Sequence, residues 1–423
     1  MHAFSAKLAY VCQHVRKLRY KTMNLLRKIL RIVLILLLPM GVRGQSASVA
    51  EKEMTVAERN AAQGFNDTID RLAEDFVEAY LIVADPGKQL YSVLGHCALH
   101  LKCAAFGLDY IFSYEGEDAA QKVLSFLAGH LKMGLYSIPV ETYCQLNKED
   151  GRGVYQYKLN LSPETKQELW RILDEEQARG VELDYDYYHR GCANSCVKFV
   201  NKALRGKKIE YAPLEREQVT GRELVREHTK DALWVRFITC FISGNEVDEP
   251  LYGEKQLLIP MDLVKAWQRA EVDGQPLLSS EQEVLVEGKP QTSNGWFTPL
   301  VFALLVLLIS IANLWWNKPY WDWIMVGAQT AVGLAMTYLL FVSDLCCTDW
   351  NWLYIAFNPL PAICWKWRRY WAVPYIGILM MWCIVMLYML LTNQVLVDWP
   401  HIILALSFSI VLLKQYILLT KKH

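Results

Sequence analysis

The sequence predicts an α+β domain followed by an α-helical transmembrane bundle. Hydrophobic residues make up 53% of the 423 residues, and 12 of the 15 tryptophans lie after Gly295. Before Gly295, short apolar strands alternate with amphipathic helices, whereas long apolar runs dominate after it. A globular domain followed by membrane helices accounts for both patterns.

The amino-terminal 44 residues have the pattern of a secretory signal. Residues 24–44 contain a basic flank, a short apolar core and small residues at Val42 and Gly44. Met23 would give a signal of ordinary length, and residues 45–66 have the composition of a flexible linker. An uncleaved anchor is disfavoured because the apolar run is only about half the length that spans a bilayer. We therefore predict that residues 67–290 form a domain outside the cytoplasm.

Alternating and amphipathic segments define the elements of this domain. In residues 97–103, Cys97, Leu99, Leu101 and Cys103 share one strand face, and His96, Ala98 and His100 share the other. Ser162-Pro163 is a typical helix start, with a capping residue followed by a first-turn proline. Predicted strands cover residues 80–84, 97–103, 109–114 and 154–161, and predicted helices cover 118–130, a segment from 163 and a segment from 192.

The region 296–419 is predicted to hold four or five membrane spans. Four runs are long enough or nearly so, and aromatic residues mark their ends. The segment 350–365 is apolar but short, and Asn358-Pro-Leu-Pro361 interrupts it. Because basic side chains collect on the cytoplasmic side, the positions of Lys366, Arg368 and Arg369 favour five crossings. The four longer runs are Trp296–Trp316, Trp323–Val342, Trp371–Leu391 and Ile402–Leu419.

Charge and cysteine usage limit the classes of function. The formal net charge is zero and no basic stripe is present outside the membrane flanks, so nucleic acid is not a predicted partner. The 11 cysteines lack the spacing of a small disulfide framework. A metal site built from His96, Cys97, His100 and Cys103 is disfavoured because a strand divides these side chains between two faces. No metal or cofactor is therefore predicted.

Cys192 and His96 are the candidate catalytic pair. Cys192 begins an amphipathic helix, where unpaired N–H groups and the helix dipole stabilise a thiolate. His96 follows Gly95, whose lack of a side chain allows close approach of a neighbouring backbone. Spacing alone leaves a core cysteine slightly favoured at position 192, and Cys196 fits that core role better.

Other residues compete for roles beside this pair. His100 is a rival base on the same strand face, and His130 and His189 are weaker rivals. An imidazole needs an orienting partner, for which Asp109 and Ser113 on the next strand are candidates. Tyr185 and Tyr187 precede the cysteine and are candidates to bind an acyl oxygen, with core packing as the alternative.

Two blocks of sequence carry a family resemblance. One runs from Tyr91 to Leu99 with Ser92 and Gly95-His96, and the other has the spacing Tyr185-X-Tyr187-X4-Cys192. In this order they resemble the Lnb N-terminal periplasmic domain family, named for the lipoprotein intramolecular transacylase. Further similar positions are Gly151-Arg152-Gly153, Leu159 to Ser162, Trp234, Gly244, Asp248, Pro260 to Leu263, Ala270 and Gly274 to Leu277, with Asn351, Asn358 and Pro359 similar to the membrane region of Bacteroidetes-type members.

The resemblance implies a permuted papain-like fold of the NlpC type, with the histidine strand before the cysteine helix. It implies that Cys192 is the nucleophile and His96 the general base, in a bacterial membrane protein whose domain faces the periplasm. The position before the cysteine departs from the family, because Gly191 replaces a typical Asn that could help bind an oxyanion. Backbone N–H groups are then the expected oxyanion donors.

The implied activity is acyl transfer from a membrane-bound ester. The expected substrate is the diacylglyceryl group of a lipoprotein, which a membrane-anchored enzyme meets at headgroup height. A thiol peptidase of the NlpC type acting on peptidoglycan is the alternative enzyme. A non-catalytic membrane assembly protein that keeps the fold is the alternative outside catalysis.

Overall fold

The computed structural model describes residues 73–87, 92–117, 119, 121–289, 295–392 and 397–421. The predicted signal region, its alternative start at Met23 and the linker lie outside these ranges. Within them, a mixed α/β domain with a sheet precedes a region of long apolar helices. The predicted fold class, an α+β domain followed by a helical membrane bundle, is confirmed at this level.

In the part of the chain that the structure describes, eleven strands form one large sheet and two small ribbons. The large sheet has the order β11-β5-β1-β2-β3-β4-β6, and every neighbouring pair in it is antiparallel. The strands are β1 (Glu78–Ala84), β2 (His96–Cys103), β3 (Leu108–Gly116), β4 (Lys132–Pro139), β5 (Val154–Lys158), β6 (Leu183–Asp184), β7 (Gln218–Thr220), β8 (Pro250–Tyr252), β9 (Glu271–Val272), β10 (Gln275–Pro276) and β11 (Glu283–Val286).

Helices cover both faces of the sheet. The main core lies between one face and helices α3, α5 and α8, as expected from the odd-numbered apolar residues of β2. The opposite face, which carries Ala98, packs against α2 in a smaller cluster. The helices of this domain are α1 (Val123–Ala128), α2 (Val140–Glu149), α3 (Pro163–Arg179), α4 (Tyr187–Arg190), α5 (Cys192–Ala203), α6 (Gly221–His228), α7 (Leu233–Ile242) and α8 (Pro260–Trp267).

Local chemistry sets the boundaries of several elements as predicted. The Ser162 hydroxyl caps α3 by accepting a hydrogen bond from the Thr165 N–H, Pro163 occupies the first turn, and Gly180 ends the helix in the left-handed conformation. Gly95 has φ +79°, and a Cβ there would lie 3.0 Å from the Ala84 carbonyl oxygen. Only glycine suits this position, which delivers the chain into β2 at His96.

The segment between β3 and β5 differs from the sequence prediction. Among the described residues of the predicted helix 118–130, only Val123–Ala128 is helical. Strand β4 and helix α2 follow it without having been predicted. Strand β4 carries Gly134 and a proline at its end, which weaken a strand signal.

Four helices in the described part of the chain are long and apolar enough to cross a membrane. Three of them begin three or four residues before the predicted spans, and the remaining one begins three residues after its prediction. The helices after residue 295 are α9 (Pro299–Trp316), α10 (Pro319–Phe341), α11 (Leu353–Ala356), α12 (Leu360–Ile363), α13 (Arg368–Leu391) and α14 (Trp399–Thr420).

The interrupted segment between α10 and α13 runs back along α10. The Tyr354 hydroxyl lies 3.0 Å from the Thr337 hydroxyl near the carboxyl end of α10. At the other end, the rings of Trp365 and Trp323 are 5.6 Å apart. These contacts follow the path that a fifth crossing would take, although α11 and α12 are each too short to span a bilayer as one helix. Five crossings remain a prediction, and the contacts of the segment 350–365 along α10 are compatible with it.

The α/β domain contacts the membrane helices through ion pairs to a buried aspartate, Asp398. Asp398, immediately before α14, accepts hydrogen bonds from Arg226 and from Arg236, the latter at 2.7 and 3.0 Å. Helix α7 is itself apolar, and Cys240 from it belongs to the core of the membrane bundle. Charge pairing and apolar burial together hold the two regions against each other.

A second contact lies beside α1. The Ser343 hydroxyl donates to the Leu127 carbonyl at 2.6 Å, and the Asp344 N–H donates to the Ala128 carbonyl at 3.0 Å. The loop that follows α10 therefore contacts the carboxyl end of α1, from which the chain leads into β4, the strand that pairs with β6. This contact brings the membrane region close to the segment that precedes Cys192.

Candidate active site

Cys192 is the first residue of α5 and lies beside the start of β2. Gly191 is the N-cap, with no side-chain cap, so the first-turn N–H groups of α5 are left for another acceptor. Helix α5 packs against β2 through its apolar face, which places its amino end next to His96. The predicted pair is thus brought together by the packing of one helix on one strand.

His96 belongs to a chain of hydrogen bonds on the sheet. His96 Nε2 lies 2.7 Å from Ser113 Oγ, and the Ser113 hydroxyl donates to Glu115 at 2.6 Å. Because the single hydroxyl proton is directed at Glu115, Nε2 must carry the proton that Ser113 accepts. Nδ1 is then the nitrogen left to act as a base toward Cys192. This assigns the tautomer that a Cys-His pair requires.

Electrostatics favour an ion pair at the site. Burial alone would lower the pKa of His96, but the neighbouring Cys192 and Glu115 outweigh burial and raise this pKa to about 9. The pKa of the Cys192 thiol is held well below its usual value by a hydrogen bond from Cys97 and by the charge of His96, against the opposing effect of burial. Both shifts favour a thiolate beside an imidazolium.

Cys97 is a site residue that the sequence analysis did not assign to catalysis. It is 1% exposed, and its proximity to Cys192 is the largest effect that lowers the pKa of the Cys192 thiol. Its sulfur also lies 4.0 Å from that of Cys196. Cys196 is buried in the main core, as predicted, one turn beyond the candidate nucleophile. Cys97, the residue after His96, thus helps to lower the pKa of the Cys192 thiol.

Asp109 does not join the site. Its carboxylate lies 2.7 Å from His100 Nε2, and His100 Nδ1 lies 2.6 Å from the Gln156 side chain. His100 is also buried and stacked on Tyr80. Of the two predicted orienting residues, Ser113 contacts His96, whereas Asp109 contacts the rival histidine.

The other rival histidines lie elsewhere. His130 is exposed and 4.0 Å from Asp344 in the loop after α10. His189 is paired with Asp186 at 3.0 Å. Neither occupies the position of a base toward Cys192, and His96 holds that position in the described structure.

The two tyrosines have different surroundings. The Tyr187 hydroxyl donates to the Leu258 carbonyl at 3.4 Å, and its ring packs against the small cluster that contains Leu258 and Ile259, which favours the alternative of core packing. Tyr185 is half-buried, and burial chiefly raises its pKa, with a further increase from the neighbouring Cys192. Its backbone N–H donates to the Leu131 carbonyl at 2.7 Å, which holds this segment beside the start of β4.

Gly191 cannot carry a side chain without movement of the backbone around it. A Cβ at this position would lie 2.6 Å from the Tyr187 carbonyl oxygen, well inside van der Waals contact. The one-turn helix α4 therefore approaches too closely for the Asn that is typical of the resembled family. A side-chain oxyanion donor at 191 is excluded by this geometry, and the backbone N–H groups of α5 remain.

Two family models match the chain. The Lnb N-terminal periplasmic domain matches residues 65–226, and the Lnb transmembrane domain matches residues 291–423. The chain belongs to the Lnb family. Together the two matches cover more than two thirds of its length, and Cys192, His96, Ser113 and Glu115 all lie in the first. Searches of curated proteins and of solved structures returned no match.

Membership of the Lnb family identifies a membrane-anchored protein with a periplasmic amino-terminal domain. The order of the two matches agrees with the order of the α/β domain and the apolar helices. Glu115 was missed by the sequence analysis, although it is two residues from Ser113 on the same strand face. Strand alternation was the signal that pointed to it.

Cys97→Ala is expected to raise the pKa of Cys192, because it removes the thiol hydrogen bond that most strongly stabilises the thiolate. The pH at which iodoacetamide labels Cys192 at half its maximal rate should move upward, toward the ordinary thiol range near 8.5. Cys97→Ser keeps a donor and should stay closer to the unsubstituted protein. Equal profiles for all three proteins would contradict a role of Cys97 in the site.

Proposed function

We propose that this Lnb family member is a cysteine acyltransferase that N-acylates lipoproteins through a thioester on Cys192. The observation that carries the proposal is the position of Cys192 at the start of α5 beside His96, in a domain whose helix α1 contacts the loop after α10. The order of His96 before Cys192 also supports the permuted papain-like fold implied by the resemblance. The inner membrane, with the catalytic domain facing the periplasm, is the proposed location.

The first half-reaction transfers an acyl chain to sulfur. The Cys192 thiolate attacks the carbonyl carbon of an ester on the diacylglyceryl group, and the tetrahedral oxyanion forms near the amino end of α5. Unpaired first-turn N–H groups can donate to this oxygen. The carbon–oxygen bond then breaks, and His96 gives its proton to the departing glyceryl oxygen.

The second half-reaction transfers the acyl chain to nitrogen. The amino-terminal amine of the lipoprotein attacks the thioester and loses a proton to His96, and the Cys192 thiolate leaves. The sum converts an ester and an amine into an amide and an alcohol, with no oxidant or cofactor. The Ser113–Glu115 chain keeps His96 in one tautomer and stabilises its charged form in both steps.

Proximity to the membrane favours a lipid ester over a soluble peptide as substrate. Loop 343–351 contacts α1 through Ser343 and Asp344, and the Tyr185 N–H donates to the Leu131 carbonyl, three residues beyond α1. Leu124 on α1 is 82% exposed beside this contact, which adds apolar surface at the same level. An ester at headgroup height can thus approach the thiolate without leaving the bilayer.

The proposal is tested by mass spectrometry of lipoproteins from cells with the gene, without it, and with it restored. We expect N-acylated lipoproteins to be absent from cells that lack the gene, where the lipoproteins should carry free amino-terminal amines. Restoring the gene should restore N-acylation. Unchanged N-acylation would overturn the proposal. A muropeptide profile from the same cells provides the contrasting readout, because altered stem-peptide cleavage with unchanged lipoproteins would identify a peptidase.

A further inference from the structure

Three side chains of types that can bind a metal ion meet beside α4. One atom each from His189, Glu246 and Cys347 lie within 4.8 Å of one another. The three come from separate segments: α4, the turn after α7 and the loop after α10. None of them takes part in the chemistry proposed at Cys192.

Backbone hydrogen bonds fix the relative positions of two of these segments. The Gly244 N–H donates to the Cys347 carbonyl at 2.7 Å, and the Asn245 N–H donates to the Asp349 carbonyl at 2.9 Å. A Cβ on Gly244 would overlap the Asp349 backbone, so the approach depends on glycine. Glu246 and Cys347 are therefore held close together by the backbone and not by chance side-chain rotamers.

His189 is oriented as metal-binding histidines commonly are. Its Nδ1 lies 3.0 and 3.1 Å from the two carboxylate oxygens of Asp186, a residue that is 7% exposed. A carboxylate on one ring nitrogen fixes the tautomer and leaves Nε2 as the ligand. Asp186 also caps α4 through the His189 N–H at 3.0 Å, which holds the ring in place.

We propose that His189, Glu246 and Cys347 bind a zinc ion that ties the segment before Cys192 to the membrane region. Imidazole, thiolate and carboxylate together suit zinc, whereas magnesium and calcium prefer oxygen ligands alone. Binding releases the Cys347 thiol proton, and the thiolate and carboxylate charges balance the ion. Water completes the fourth position, since His189 and Glu246 are open to solvent.

The position of the site indicates a structural role for the ion. His189 lies three residues before Cys192, and Gly191 between them packs against the Tyr187 carbonyl. An ion held at once by α4 and by the loop after α10 would restrain the chain that leads into the nucleophile. The ion takes no part in the acyl transfer reaction, so its binding is tested without a substrate.

The test uses the full chain, purified in detergent without a histidine tag, freed of metal and then dialysed against micromolar zinc. We expect about one zinc ion per chain by elemental mass spectrometry. Cobalt in place of zinc should give a thiolate-to-metal absorption band that Cys347→Ser removes. His189→Ala and Glu246→Gln should each weaken zinc binding about tenfold or more, and so should Asp186→Asn, which keeps an acceptor at the helix cap.

His130→Ala is the matched control, because His130 is exposed and contacts the same loop but lies outside the cluster. Zinc binding should be unchanged in this variant. The proposal is overturned if no stoichiometric zinc is retained, or if the three ligand variants bind as the control does. Recovery of a Cys346–Cys347 disulfide from the untreated protein, in place of metal, would overturn it as well.

Discussion

Cys192→Ala should abolish acyl transfer, with a loss of about four orders of magnitude or more. A nucleophile that forms a covalent intermediate has no substitute, and removal of such a residue leaves only the contribution of binding and oxyanion stabilisation. The variant should fold, because Cys192 is only partly buried and alanine is a good helix former. The loss would then be one of chemistry and not of structure.

The measurement is transfer within a synthetic diacylated lipopeptide by the purified chain in detergent, followed by mass spectrometry of both peptide and protein. Unsubstituted protein should carry an acyl group on Cys192 that hydroxylamine releases, as expected for a thioester. Cys196→Ala is the matched control, since Cys196 lies one turn along the same helix and is buried in the core. Substantial transfer by Cys192→Ala, or an acyl group recovered on another residue, would refute the mechanism.

The sequence predicted the pairing of Cys192 with His96 only with the help of the family resemblance, because spacing alone slightly favoured a core cysteine at position 192. Alternation in β2 separates the odd-numbered core residues from His96, and the start of α5 follows from its amphipathic pattern. Both patterns are local. The structure contains the predicted strand and helix because each buries its apolar face. The two-part fold follows from the same kind of reasoning.

Orientation of His96 depended on strand register, which alternation does not determine. Asp109, Ser113 and Glu115 share one face of β3, so each was compatible with a histidine on β2. The turn that ends with Gly107 pairs Cys103 with Leu108 and His100 with Ile111. This register sets Asp109 diagonally across from His100 and brings Ser113 to His96. Choosing between the candidates required the turn geometry.

Long-range contacts account for what the sequence could not supply. The departure from the family at Gly191 has its cause in the backbone of α4, and nothing in the local sequence reveals that approach. The route of the segment between α10 and α13 likewise depends on Tyr354 and Trp365 finding partners along α10. Such contacts join residues that are far apart in the sequence, and the local sequence around each residue does not predict its partner.

Gly191→Asn, which introduces the residue typical of the family, should impair this protein. The backbone at 191 has φ −60°, which any residue can adopt, so the obstacle is space and not conformation. The new Cβ would lie 2.6 Å from the Tyr187 carbonyl oxygen. Because the oxygen is part of the backbone and Cβ is bonded to it, a change of side-chain rotamer cannot separate the two atoms. Relief requires α4 or the start of α5 to move, which displaces the Cys192 sulfur from His96.

A displacement of about 1 Å at a reacting group can lower a rate about a hundredfold, and we expect a loss of that order. Gly191→Ala should show a similar loss, because the conflict arises at Cβ. Gly327→Ala, at a site with open space around it, is the matched control and should leave transfer unchanged. The rates are compared with iodoacetamide labelling of Cys192, which should also slow as the thiolate loses its partner. Full activity in Gly191→Asn would contradict this expectation and show that α4 can move without displacing Cys192 from His96.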